Sequence, residues 1–319
     1  MVAGEYFVMR RPRALAESGR PGLYHVCSRV VDRRVIFGER ERRKFMGFIK
    51  GGARFAGVDL VSWCLMGNHF HLLVRVPPVD AYTMDDEEVL SRMENIYTEP
   101  RMRHFRGIWE RMRSDAARQQ FLSPFRARMG NLSDFVKTLK QRFSQWFNGQ
   151  NNREGTLWEG RFHSVMLSHN EGKDGQGLGL LARFVAGYID LNPVRAEVAR
   201  QAEETDWSGY GAAMRGDGYA LAGIRLLWGE EVSSGLDAKR MLRHHGLMLE
   251  RARVKDGAQE HAAVAGEKEV GRTENRGGDE LGAVVRSAED GLLARMGERC
   301  EALTKGYALG VNWVAAQAI

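Results

Sequence analysis

The chain has 319 residues, 43% of them hydrophobic, with a formal charge of +6 and a pI of about 9.3. That length holds one domain plus something smaller, or one domain with long insertions, and the apolar share suffices for a core. Cys27, Cys64 and Cys300 are scattered and form no Cys-x-x-Cys, which argues against a disulfide framework or a zinc knuckle.

No apolar run reaches the length of a bilayer span, and Glu5 interrupts the short apolar stretch before Arg10 and Arg11, so no secretory signal is read. A cytoplasmic protein without membrane association is expected. Arginines crowd the first third, from Arg10, Arg11 and Arg13 to Arg40, Arg42 and Arg43, which points to a polyanionic partner or, about equally on charge alone, to a merely soluble basic surface.

Residues 1–20 read as a basic arm. Alternation over Gly22-Leu-Tyr-His-Val-Cys-Ser-Arg-Val-Val31 predicts a first strand with His25 and Arg29 exposed on one face. A helix follows from Glu39 to about Phe55, ended by Gly57. Val58 to Met66 reads as a second strand, and Gly67-Asn68 as a tight turn into a third, for the order β-α-β-β. Residues 80–130 read as a helical insertion with mostly polar faces, its Asp85-Asp86-Glu87-Glu88 run being a helix N-terminal turn.

Asn131 to Phe147 carries an apolar stripe at three- and four-residue spacing, and the second half of 157–167 reads as a further strand. Gly175–Gly179 leads into a helix with Phe184, Val185, Tyr188 and Ile189. Asn192 and Pro193 suit the N-cap and first residue of another, from Val194 to Glu203. Residues 216–250 read as a helical extension whose His244 and His245 lie on the surface. Residues 251–282, without an aromatic, read as a linker, and 283–319 as a small helical segment.

The chemistry starts at His69 and His71. In a strand alternate side chains share a face, so these imidazoles stand one pleat apart and could share a divalent cation, or be two polar residues on a solvated sheet face. Tyr188 is either a core tyrosine with its hydroxyl at the rim or a nucleophile; a tyrosine that attacks a phosphodiester conserves the bond energy for rejoining. Asn192, one turn on, is an N-cap or a ligand through its amide oxygen.

Five segments occur in series: Gly22-Leu-Tyr-His-Val26, Met66-Gly-Asn-His-Phe-His-Leu-Leu-Val74, Trp158-Glu-Gly-Arg-Phe-His-Ser164, Gly187-Tyr-Ile-Asp-Leu-Asn-Pro-Val-Arg195 and Trp207-Ser-Gly-Tyr210. Together, over about residues 20–215, they resemble the single-tyrosine HUH transposases, in particular the REP-associated tyrosine transposase group. The resemblance implies an α+β fold, an antiparallel sheet with helices packed on one face (a ferredoxin/RRM-like HUH domain over 21–215), followed by the helical C-terminal extension.

It implies Tyr188 as nucleophile, His69 and His71 as ligands of Mg²⁺ or Mn²⁺, and Asn192 as a third ligand where some relatives carry Gln. The implied substrate is single-stranded DNA bearing a hairpin, cut and rejoined through a 5′-phosphotyrosine by a monomer or homodimer. Arg29, Lys140, Arg161 and His163 are expected as phosphate contacts, with Arg161 alternatively bracing its loop. Two other readings stand beside this one: a domesticated hairpin binder that does not cut, and a rolling-circle replication initiator or relaxase. The latter is disfavoured because no Gly-x-x-x-x-Gly-Lys-Ser/Thr loop is present.

Overall fold

The computed structural model describes residues 19–78, 84–167, 178–229, 242–243 and 245–250. The expectations for the arm up to residue 18, for Gly175 to Gln176 and Gly177, for His244 and for everything after residue 250 lie outside the described residues.

Four strands, β1 (Gly22–Arg29), β2 (Asp59–Leu65), β3 (His69–Val76) and β4 (His163–Leu167), form one sheet in the order β2-β3-β1-β4, every neighbouring pair antiparallel. The fold is therefore α+β around an antiparallel sheet. The register sets His71 opposite Cys27 of β1 and Cys64 of β2, and His69 opposite Arg29. Cross-strand partners share a face, so His25, Cys27, Arg29, His69, His71, Leu73 and Cys64 belong to one side. Val26, Phe70, Leu72 and Val74 belong to the other.

The Phe70 side packs on α1 (Glu39–Ala56) and on the helix Leu132–Gln150, with Phe45 of α1 5.0 Å from Phe70 and 4.8 Å from Phe143, centroid to centroid. The histidine side is covered by the helix Leu180–Asp190, whose Tyr188 meets His25 and His71. Helices thus lie on both faces, which corrects the one-face expectation. The reason is apolar content: Leu73, Cys64 and Cys27 on that side are hydrophobic and buried, so the second face has to be covered as well, and His25 and His71 are buried with them.

Between β3 and Leu132 the insertion forms α2 (Asp86–Met93), α3 (Glu99–Arg111) and α4 (Asp115–Arg126). Its faces are not mostly polar: Val89, Leu90, Met93, Ile96, Met102, Phe105 and Leu122 build a core of their own, joined by Phe55 of α1. The acidic run does open a helix, because Asp85 accepts a hydrogen bond from the Glu88 backbone at 2.7 Å and caps α2. Gly57, at φ 66°, ends α1 as a left-handed C-cap. Asn131 caps α5 (Leu132–Gln150) through the Asp134 backbone.

Helix α6 (Leu180–Asp190) runs into α7 (Asn192–Arg195), which is far shorter than the expected Val194–Glu203 helix. Glu197 sits at φ 53°, a conformation that cannot propagate a right-handed helix, and the Pro193 carbonyl turns to accept from Val198 and Ala199. Beyond it, the Trp207 carbonyl accepts from Leu65 on the edge of β2, and Ser208 bridges to Cys64. Then α8 (Gly209–Met214) and α9 (Gly218–Trp228) pack against β2. A Cβ on Gly223 would stand 2.2 Å from the Val61 carbonyl, so only glycine allows so close an approach at the β2 irregularity.

Candidate active site

The site is assembled where β1, β3 and α6 meet. Alternation along β3 turns His69 and His71 to one face, and their ring centroids stand 5.1 Å apart at 86°. His71 is 6% exposed and His25 only 4%, so the expectation of an exposed His25 is corrected: α6 lies over it. The Nε2 of His25 and the Nδ1 of His71 are 3.0 Å apart and share one hydrogen. His69 Nδ1 faces the Asn68 Oδ1 at 2.7 Å.

Burial holds these rings uncharged. It pushes His25 down to about 4; His69 also goes down to about 4, by burial and then by the positive charge of Arg29 opposite it. His71 lies well below its ordinary value, first through burial and then through His25, His69 and Arg29. An uncharged imidazole has a lone pair to give, so the donor chemistry fits a cation. Among the described residues no three His, Cys, Asp or Glu side chains gather as a metal cluster, so a third ligand drawn from those residues would be of another kind, such as an amide.

Tyr188 projects from the last full turn of α6. Its ring meets His71 edge-on, 6.1 Å between centroids at 88°, and His25 at 6.2 Å and 75°. Arg195 of α7 lies over the phenol ring, its Cζ 4.9 Å from the centroid. Asn192 does not act as an N-cap: its Nδ2 donates to the Tyr188 carbonyl at 3.0 Å, and α7 starts without a side-chain cap. This bond leaves Oδ1 as the amide's acceptor.

Two residues past the tyrosine, Asp190 is wholly buried. Its Oδ1 accepts from the Ser62 hydroxyl of β2 at 3.2 Å and from the Tyr210 backbone at 2.9 Å, and its Oδ2 lies 3.0 Å from Nε2 of His245. His245 was expected on the surface and is instead fully buried, because the helical residues 245–250 return to cover the end of α6. No local pattern marks that pairing, since the partners are 55 residues apart.

The expected phosphate contacts divide. Arg29 ends β1 opposite His69; Arg161 is exposed just before β4, and His163, also exposed, opens β4 opposite Cys27 and hence on the histidine face. Lys140 is buried: its ammonium donates to the Gly160 carbonyl at 2.7 Å and lies 5.2 Å from the Trp158 ring centroid. Trp158 in turn donates to the Lys140 carbonyl and the Ser144 hydroxyl. These contacts make Lys140 a brace for the loop that carries Arg161.

Among the described residues, no helix is long and apolar enough to cross a membrane. No protein-family model matches the chain, and no curated protein matches it. Among solved structures, one of a REP-associated tyrosine transposase bound to a REP hairpin is similar at a TM-score of 0.36 and 13% identity, over 65% of this chain and 87% of that one.

Proposed function

We propose that this protein is a divalent-metal-dependent DNA strand transferase of the single-tyrosine HUH type, its sheet and helices forming the RRM-like domain of that class. The observation that carries the reading is the approach of Tyr188 to His71, with His69 beside it on the same face. The five motif segments support it, since their histidines and tyrosine are residues that mere hairpin binding does not require.

In this reading the Tyr188 oxygen attacks the phosphorus of a phosphodiester in single-stranded DNA. The bond from phosphorus to the 3′ oxygen breaks, the 5′ phosphate becomes esterified to Tyr188, and the phenol proton is transferred to the departing 3′ oxygen directly or through water. The 3′ hydroxyl of a second strand then attacks the phosphotyrosine, and the tyrosine leaves with the proton returned to it. His69, His71 and the Oδ1 of Asn192 would hold Mg²⁺ or Mn²⁺, which supplies charge neutralisation at the phosphoryl oxygens. Arg29, Arg161 and His163 bind the DNA backbone around the site, and Lys140 keeps the Arg161 loop in place. The DNA substrate carries a hairpin beside the cleavage point, and the protein works as a monomer or homodimer.

The test incubates the full chain with labelled single-stranded hairpin DNA from its own genomic flanks, with Mn²⁺ or with EDTA. A denaturant-resistant protein–DNA band that needs metal and vanishes in Tyr188→Phe is expected. Hairpin binding without such a band, over several flanking sequences, would sink the transferase reading in favour of a non-cleaving hairpin binder.

A further inference from the structure

The hairpin turn before His69 does more than reverse the chain. Asp32 and Arg33 both sit in left-handed backbone, at φ 57° and 54°, an uncommon conformation for residues with a side chain. The turn from residue 30 to 37 is bonded to the hairpin at three further points: Val30 donates to the Asn68 carbonyl, and Ile36 and Phe37 both donate to that of Gly67. So placed, the Arg33 carbonyl accepts a hydrogen bond from the Asn68 Nδ2 at 2.9 Å.

That bond fixes which way the amide points. Flipped, Asn68 would set its oxygen against a carbonyl oxygen, two acceptors without a hydrogen between them. Its Oδ1 therefore faces His69 Nδ1, 2.7 Å away, and since Oδ1 cannot donate, Nδ1 must carry the hydrogen. In an uncharged ring Nε2 is then the bare nitrogen. At His71 the Nδ1 is engaged by His25 Nε2 at 3.0 Å, a contact in which either nitrogen can carry the hydrogen; when His25 accepts, the Nε2 of His71 is the bare nitrogen left for a ligand.

We infer that Asn68 and His25 are positioning residues that hold His69 and His71 with hydrogen on Nδ1, presenting both bare Nε2 atoms to a divalent cation. This deepens the metal-dependent reading and rests on it for the identity of the ligand. Partners on the far nitrogen orient a ligating imidazole, and their loss typically weakens metal binding by about 10- to 100-fold.

The experiment uses the metal-free full chain with ¹⁵N-labelled histidine and long-range ¹H–¹⁵N correlation, the His69 and His71 signals being assigned by their loss in H69Q and H71Q. Both rings are expected to show the Nδ1–H pattern in the unsubstituted protein. Asn68→Ala should move His69 toward Nε2–H and weaken Mn²⁺ binding by about 10- to 100-fold, while Asn68→Asp, which keeps the acceptor, should retain Nδ1–H. His25→Ala should do the same to His71 alone. An Nε2–H pattern at His69 in the unsubstituted chain would overturn the inference without need of any variant, as would an unchanged His69 in Asn68→Ala. If the Nδ1–H pattern holds but Mn²⁺ does not bind at all, the metal reading fails while the tautomer assignment stands.

Discussion

Tyr188 presents its phenol ring edge-on to the imidazole of His71 while the guanidinium of Arg195 lies over its face. The two contacts act differently. In the proposed reaction the histidine belongs to the set that would hold a cation, whereas Arg195 places a permanent positive charge beside a phenol that would have to lose its proton to attack.

A cation over an aromatic ring is worth about 0.5–1 kcal/mol at a partly exposed site. Arg195→Ala should accordingly slow adduct formation by about two- to fivefold, since 1.4 kcal/mol corresponds to tenfold. Single-turnover measurement of the phosphotyrosine band gives the rate, and an Arg195→Ala protein as fast as the parent would show that the guanidinium only packs there.

The buried histidines should make the metal-free protein sensitive to mild acid. Unfolded histidine titrates near 6.5, while His25 and His69 titrate near 4 in the fold. Between those values the unfolded chain binds more protons, so protonation favours unfolding. Stability is full above about pH 6.5 and falls as the pH drops toward 4, by about 1 kcal/mol for each of these histidines between pH 7 and 5.5. Urea midpoints in EDTA across that interval check it; a flat response would mean the rings are wetter than their burial implies.

Lys140→Met keeps the aliphatic stem but strips the Gly160 carbonyl of its donor. The expected loss is about 1.5–3 kcal/mol of stability, the usual worth of a hydrogen bond from a charged donor. Were Lys140 a phosphate contact, the same change would leave stability alone and lower both hairpin affinity and the salt dependence of binding. Denaturation and a salt titration of binding together separate the two roles.

Asp190 should matter more to the fold than His245. Asp190→Ala leaves three buried groups without their shared acceptor and is expected to cost at least about 1–3 kcal/mol, the cost of leaving even one buried donor unsatisfied. His245→Ala leaves the carboxylate its bonds from Ser62 and Tyr210 and should cost less. Chemical denaturation of the two variants gives the order; a larger loss in His245→Ala would contradict it.

Periodicity made β1, β3, α1, α5 and α6 legible, because each buries a stripe or an alternating face that the spacing of its apolar residues reveals. Pairing was not legible. His25 and His71 look like solvent-facing residues until the register of β1 on β3 is known, and α6 then covers both. The insertion misled for a different reason: Met93, Met102 and Phe105 stand among arginines whose charges tie down the outside, as Arg106 does with Glu87 and Glu94. The shortness of α7 turns on one backbone angle at Glu197, a residue type with no preference for it. Asn68 could be read as a turn residue, but its hold on His69 depends on the Arg33 carbonyl, 35 positions away.

The anchoring of Asp190 also sets the leverage on the Tyr188 phenol. At 1.5 Å of rise per residue, Tyr188 lies only about 3 Å along the axis from that fixed point, and Leu180 about 15 Å. A tilt of α6 by about 20° about Asp190 would carry its far end roughly 5 Å but shift the Tyr188 position by about 1 Å. That far end is itself tied to α9, by the Leu178 N–H on the Leu226 carbonyl and the Arg183 Nε on the Leu227 carbonyl, so the helix is held at both ends and the phenol stays in register with the histidines.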